Sequence, residues 1–112
     1  MKEGLTETVL LDDNRQLAQF LKQQRVSQEV FLQRALVRYR DVVRLHPEKI
    51  KTVPGAKHKG AMIFEFKLPF EAYRSFRVAF VRQDRQLRII FASHEIKKKE
   101  FTKALKKTAL VD

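Results

Sequence analysis

The 112-residue chain has no cysteine, so neither disulfides nor thiolate-held metal support its fold, and a reducing compartment is open to it. Three histidines without cysteine make a poor ligand set, and no metal is expected. With three glycines there is neither a nucleotide-binding glycine loop nor a nucleophile elbow, so no cofactor is expected. Long apolar runs are also missing, and the amino-terminal stretch carries Glu3, Glu7, Asp12 and Asp13. Those charges argue against a signal peptide or a membrane span, which makes the cytoplasm the expected compartment and a membrane an unexpected partner. The length suits a single domain, residues 1–112, with a core of its own.

What the chain does have is positive charge. Lys and Arg number 24 against 13 acidic residues, a net of +11. Residues 1–56 hold 10 basic and 7 acidic groups, whereas residues 57–112 hold 14 and 6. The excess therefore travels with the second half. Such a surface attracts phosphate backbones through counterion release, which solubility alone does not require.

That second half contains three alternating runs, 62–68, 76–82 and 87–94. Side chains of a strand change face at every residue, so each run divides by parity. One parity is wholly apolar: Met62, Phe64, Phe66, Leu68, Phe76, Val78, Phe80, Leu87, Ile89 and Phe91. It is expected to be buried. The other holds Ile63, Glu65, Lys67, Arg77, Ala79, Val81, Arg88, Ile90, Ala92 and His94, a mixture that suits an accessible cleft better than a second core.

Residues 6–11 read as a first strand that stops at the turn or capping cluster Asp12-Asp13-Asn14. Leu17, Phe20 and Leu21 follow at helical spacing. Ser27 then offers an N-cap to a second helix, whose stripe is Val30, Phe31, Ala35, Tyr39, Val42 and Val43 and which ends near His46-Pro47. Its other face bears Arg34, Arg38, Arg40 and Arg44, either a phosphate-facing ridge, a docking strip or plain solvent-facing surface. Residues 49–60, with Pro54-Gly55 and Lys57-His58-Lys59-Gly60, read as an ordered loop with a basic tip. The short gaps 69–75 and 83–86 make the three runs an antiparallel meander. Residues 97–107 close the chain as a basic helix with Phe101, Ala104, Leu105 and Ala109 available for packing. The expected fold is α+β: an N-terminal strand at one sheet edge, two helices, the meander and a C-terminal basic helix.

This order resembles the RelE/ParE toxin superfamily, including its HigB-like, phage-related members. The pieces that carry the likeness are Phe64-Glu65-Phe66-Lys67-Leu68, Phe76-Arg77-Val78-Ala79-Phe80, and Lys97-Lys98-Lys99 with Glu100 and Ala104. Each is short, so the likeness lies in their order and spacing along most of the chain. It implies the toxin of a type II toxin-antitoxin module, a metal-independent messenger-RNA endonuclease acting on the ribosome and silenced by a cognate antitoxin. Lys67 and Arg77 match phosphate-holding positions. Glu95 and Phe101 stand where the best-known branch has an Arg and a Tyr, and His94 matches the histidine that other branches use in this region.

RNA is cut without metal by its own 2′-hydroxyl, so the protein must position the chain, move protons and stabilise a developing dianion. Arg77 and Lys67 would supply the charge. Glu65 and His94, expected on the same face from the strands flanking the middle one, are the candidate proton carriers. Lys57, His58, Lys59, Arg88, Lys97, Lys98 and Lys99 are the candidate nucleic-acid contacts, with His58 reaching the cleft from its loop. Two further readings remain open: a ParE-like inhibitor of DNA gyrase, and a non-catalytic nucleic-acid-binding relative of the fold.

Overall fold

The computed structural model describes residues 8–94 and 97–112. Its helices begin where capping side chains stand. Asn14 Oδ1 accepts from the Leu17 amide at 2.8 Å and opens α1 (Arg15–Gln24), while Ser27 Oγ accepts from the Val30 amide at 3.1 Å and opens α2 (Gln28–Leu45). Each cap satisfies an amide the helix leaves unpaired and contributes about 1 kcal/mol. Helix α1 ends with Arg25 in the left-handed region, φ 57°. Helix α2 stops before His46-Pro47, since a residue preceding proline avoids helical backbone, and one 3₁₀ turn follows (Pro47–Lys49).

The strands are β1 (Thr8–Leu11), β2 (Lys51–His58), β3 (Ala61–Glu71), β4 (Arg74–Gln83) and β5 (Gln86–Ser93), and helix α3 (Lys98–Lys106) follows them. They form one sheet in the order β1-β5-β4-β3-β2, with β1 parallel to β5 and every other pair antiparallel. This is the α+β arrangement expected from the sequence, with β1 at an edge; residues 6 and 7 of the expected first strand lie outside the described residues. One element differs. Residues 51–58 are a strand and not a loop, because β2 absorbs Pro54-Gly55 as an irregularity: its register with β3 shifts between Thr52 and Lys57, and Gly55 takes φ +68°. Proline and a left-handed glycine are tolerated there because β2 is an edge strand, whose outer side needs no ladder donor.

The sheet has a core on each side. Helices α1 and α2 cover one face, where Phe66, Leu68, Phe76, Val78, Phe80, Leu87 and Ile89 meet Phe20, Phe31 and Tyr39. Edge-to-face contacts such as Phe20–Phe76 (5.0 Å between centroids) and Tyr39–Phe80 (5.7 Å) add about 0.5–1.5 kcal/mol each beyond the area buried. The opposite face was expected to be an open cleft, and most of it is instead a second core. Val53, Ala56, Ile63, Ala79, Val81, Ile90 and Phe91 lie under α3 with Phe101, Leu105 and Leu110.

The parity division fails at two places that explain this. In β5 the partner of Ala79 is Phe91 and the partner of Phe80 is Ile89, so Ile90 is an extra residue and everything after it changes side. Phe91 therefore joins the α3 core, and Ala92 joins the α1/α2 core. At the start of β3, Met62 is 52% exposed and Phe64 only half-buried, because the helices do not extend over that end of the sheet.

Phe101 is fully buried and stacks on Phe91 at 5.5 Å. Phe101→Ala should cost about 3–5 kcal/mol in urea unfolding, whereas Met62→Ala on the exposed end should stay within about 0.5 kcal/mol. Equal, small effects for both would show that α3 adds no core.

Candidate nucleic-acid interface

The register of the meander builds one transverse row. Lys67 of β3 stands opposite Arg77 of β4, and Arg77 opposite Ser93 of β5. Directly paired residues share a face with Cβ atoms about 4.5–5.5 Å apart, so the two cations lie side by side on the α3 side of the sheet. Lys67 is exposed. The row sits past the apolar residues that α3 covers, at the end of the sheet where the chain leaves β5.

Two like charges directly opposite would repel, and Glu65 offsets one of them. It lies two residues before Lys67, on the diagonal from Arg77, and its Oε1 accepts from Arg77 Nη1. The Glu65 side chain is wholly buried while that of Arg77 is 16% exposed. Glu65 Oε2 is buried and has no partner among the described residues. Glu65 is thus a buried counter-ion that orients the Arg77 fork, which corrects the expectation that it faces a bound phosphodiester as a proton carrier.

His94 does not complete the row either. The extra residue at Ile90 sends Ser93 to the Arg77 side, and the next step of the alternation brings His94 to the side of Phe76. There it lines a cleft of about 350 Å³ with Gln24, Tyr73, Arg74, Ser75 and Phe76. Glu65 and His94, placed on one face by parity alone, are on opposite sides of the sheet.

The remaining candidates divide into two groups. Lys97, Lys98 and Lys99 are exposed around the first turn of α3, and Lys97 makes no side-chain cap. Three residues of chain separate Ser93 from Lys97, so the Lys97 Cα lies at most about 14 Å from the Ser93 Cα of that row. Lys57, His58 and Lys59 lie farther from it. His58 pairs with Ala61, six residues before Lys67 along β3, a separation of about 20 Å. His58 is also buried, with Nδ1 donating to the Leu110 carbonyl at 2.6 Å, so it fastens the carboxy-terminal segment and does not reach a cleft. Arg88 pairs with Val81, four residues along β4 from Arg77, and lies 3.5 Å from Asp12. Glu95, also singled out in the sequence, is outside the described residues, and Phe101 is a core residue under α3.

Helix α2 answers the question of its arginine row. Arg38 Nε donates to the Lys67 carbonyl at 3.0 Å and Arg34 Nη1 to the Phe70 carbonyl. Both carbonyls belong to the part of β3 beyond Glu65, where β2 no longer pairs with it. These two arginines cap an open strand edge, while Arg40 and Arg44 stay exposed. A second feature without a sequence signal is Asp112. Its carboxylate takes the amides of Lys59 (2.6 Å) and Gly60 (2.7 Å), and its own amide donates to the Lys57 carbonyl at 2.8 Å. Among the described residues no three His, Asp or Glu side chains gather where they could hold a metal ion, and no helix is long and apolar enough to cross a membrane.

No family model, curated protein or solved structure matches the chain.

Removing Arg77 alone strands a buried carboxylate, so Arg77→Ala should cost about 3–5 kcal/mol in urea unfolding, and pairing it with Glu65→Met should recover most of that loss. No recovery in the double variant would mean that the pair is not what the single change breaks. The amides of Gly60 and Lys59 hold the Asp112 carboxyl below its ordinary value of 3.8, helped by the nearby charges of His58 and Lys57. Its stabilising effect is accordingly present above about pH 3.8 and fades as acid carries the pH through the lower folded-state value. Urea midpoints measured from pH 7 to pH 2 should fall less steeply for Asp112→Asn than for the parent chain.

Proposed function

We propose that this chain is the toxin of a type II toxin-antitoxin module, an endonuclease that cuts messenger RNA on the ribosome without a metal. The observation that carries the reading is the Lys67–Arg77 row, paired by register and open to solvent through Lys67, in a chain that also exposes Lys97–Lys99 at the start of α3. The α+β order and the strand motifs agree with the toxin superfamily that the sequence resembles. In the proposed reaction the ribose 2′-oxygen attacks the adjacent phosphorus, the bond from phosphorus to the 5′-oxygen breaks, and the products are a cyclic phosphate and a 5′-hydroxyl. Arg77, held by Glu65, binds the phosphate through its fork, and Lys67 adds a compact charge as the dianion develops. Electrostatic stabilisation of this kind is worth about a hundredfold to a thousandfold per donor. The cognate antitoxin would cover this cationic row with acidic or amphipathic segments.

A second reading has a specific observation behind it. With Glu65 buried beneath Arg77 and His94 on the far side of the sheet, neither expected proton carrier touches the row. A protein that grips RNA on the same surface without cutting it fits that arrangement. The two readings share the binding surface and differ in the products.

The test is a translating extract charged with the purified protein and read by primer extension. Cleavage within codons is expected, and Lys67→Ala and Arg77→Lys should each slow it about a hundredfold or more. Those substitutions keep the buried pair's charge balance, so the loss will not be one of folding. Intact message at stoichiometric protein, with salt-sensitive RNA binding, would establish the non-catalytic reading. Absence of both cleavage and binding would reject both readings.

A further inference from the structure

We infer that the cleft beside His94 holds an unpaired nucleobase of single-stranded RNA. The inference rests on the RNA reading above and adds a base subsite on the sheet face opposite the phosphate row. The cleft lies between the end of α1, the β3–β4 hairpin and the end of β5, and its volume of about 350 Å³ fits a small planar ligand.

Its walls have the chemistry a base requires. Tyr73 at the hairpin tip is 100% exposed, so its ring takes no part in either core and offers an open π-face. Arg74 forms a fixed floor. It donates to the Gln24 carbonyl (2.9 Å), the Gln24 side chain (3.3 Å) and Glu71 (2.8 Å), and its guanidinium lies 5.4 Å from the rings of both Phe70 and Phe76. Because Arg74 is already neutralised by Glu71, the cleft suits an uncharged heterocycle better than a phosphate. The Ser75 hydroxyl and the Gln24 amide place donors and acceptors around the rim, where the edge of a base would meet them. A floor already locked by hydrogen bonds costs little further ordering when a ligand arrives.

Position ties the cleft to the cationic row. Ser75 and Phe76 directly precede Arg77, and His94 directly follows Ser93, the partner of Arg77. A phosphate on Lys67 and Arg77 is therefore one residue's step, around the same end of the sheet, from the cleft. A duplex keeps its bases stacked inside, so only a single strand can turn one into this position.

The chain has no tryptophan and two tyrosines, and Tyr39 is buried, so the emission lost on going from the parent chain to Tyr73→Phe reports the exposed ring. A short 2′-O-methyl oligoribonucleotide, which cannot be cut through its 2′-oxygens, serves as probe beside the same backbone made abasic. Quenching of Tyr73 by the first and not the second is expected. Tyr73→Ala should weaken binding of the base-bearing probe about fivefold to a hundredfold and leave the abasic one unchanged. Tyr73→Phe should restore the affinity, and Lys67→Ala should weaken both probes. If Tyr73→Ala binds both probes as the parent chain does, the cleft holds no base and only this inference falls. If the parent chain binds neither probe at low salt, the RNA reading falls and takes the cleft with it.

Discussion

One extra residue in β5 sets the geometry of this protein. Strand side chains alternate strictly, so an insertion at Ile90 exchanges the faces of everything that follows it while leaving the rest of the ladder in register. Phe91 turns down onto Phe101 and gives α3 a surface to bury. Ser93 comes level with Arg77, and His94 is carried to the helix side. Without that irregularity Phe91 would add to the α1/α2 core, α3 would lose its aromatic seat, and His94 would stand beside the cations.

The second constraint is electrostatic. A row of Lys67 and Arg77 on adjacent strands is unfavourable by itself, and burying a carboxylate is unfavourable by itself. Put together, Glu65 and Arg77 each reduce the other's cost, and Lys67 remains the exposed charge. Such a pair is weak as a source of net stability, because well-packed apolar residues of similar volume would do as well. Its consequence is orientation: the bond to the buried Glu65 carboxylate fixes the direction of the Arg77 guanidinium. Glu65 Oε2, buried and without a partner among the described residues, is the energetic cost of that arrangement.

Edge protection explains charges that would otherwise look like a binding ridge. Beyond Glu65, β3 outruns β2 and presents open carbonyls, and Arg34 and Arg38 of α2 cap two of them while also fixing the helix against the sheet. At the other end of the hairpin, His58 and Asp112 fasten the carboxy-terminal segment to the β2–β3 turn. That attachment adds to the apolar seat of Phe101 and Leu105 in keeping α3 across the second face. Part of the basic excess thus serves the fold, while Lys67, Arg40, Arg44 and Lys97–Lys99 stay exposed.

What the sequence determined by itself is whatever depends on near neighbours along the chain. Asn14 and Ser27 mark helix starts, Pro47 marks a stop, the 3.6-residue stripe of Phe31, Ala35, Tyr39 and Val42 marks a buried helix face, and alternation puts Lys67 and Arg77 on the same side of adjacent strands. Tertiary structure decided what depends on pairing. Register created the extra residue at Ile90 and so moved His94, the edge position of β2 turned a Pro-Gly segment into strand, and packing under α3 converted an expected cleft into core. The physical reason is that local periodicity records only which side a residue faces within its own segment. The relation between segments is fixed by hydrogen-bond ladders and by apolar area that distant parts of the chain bury together.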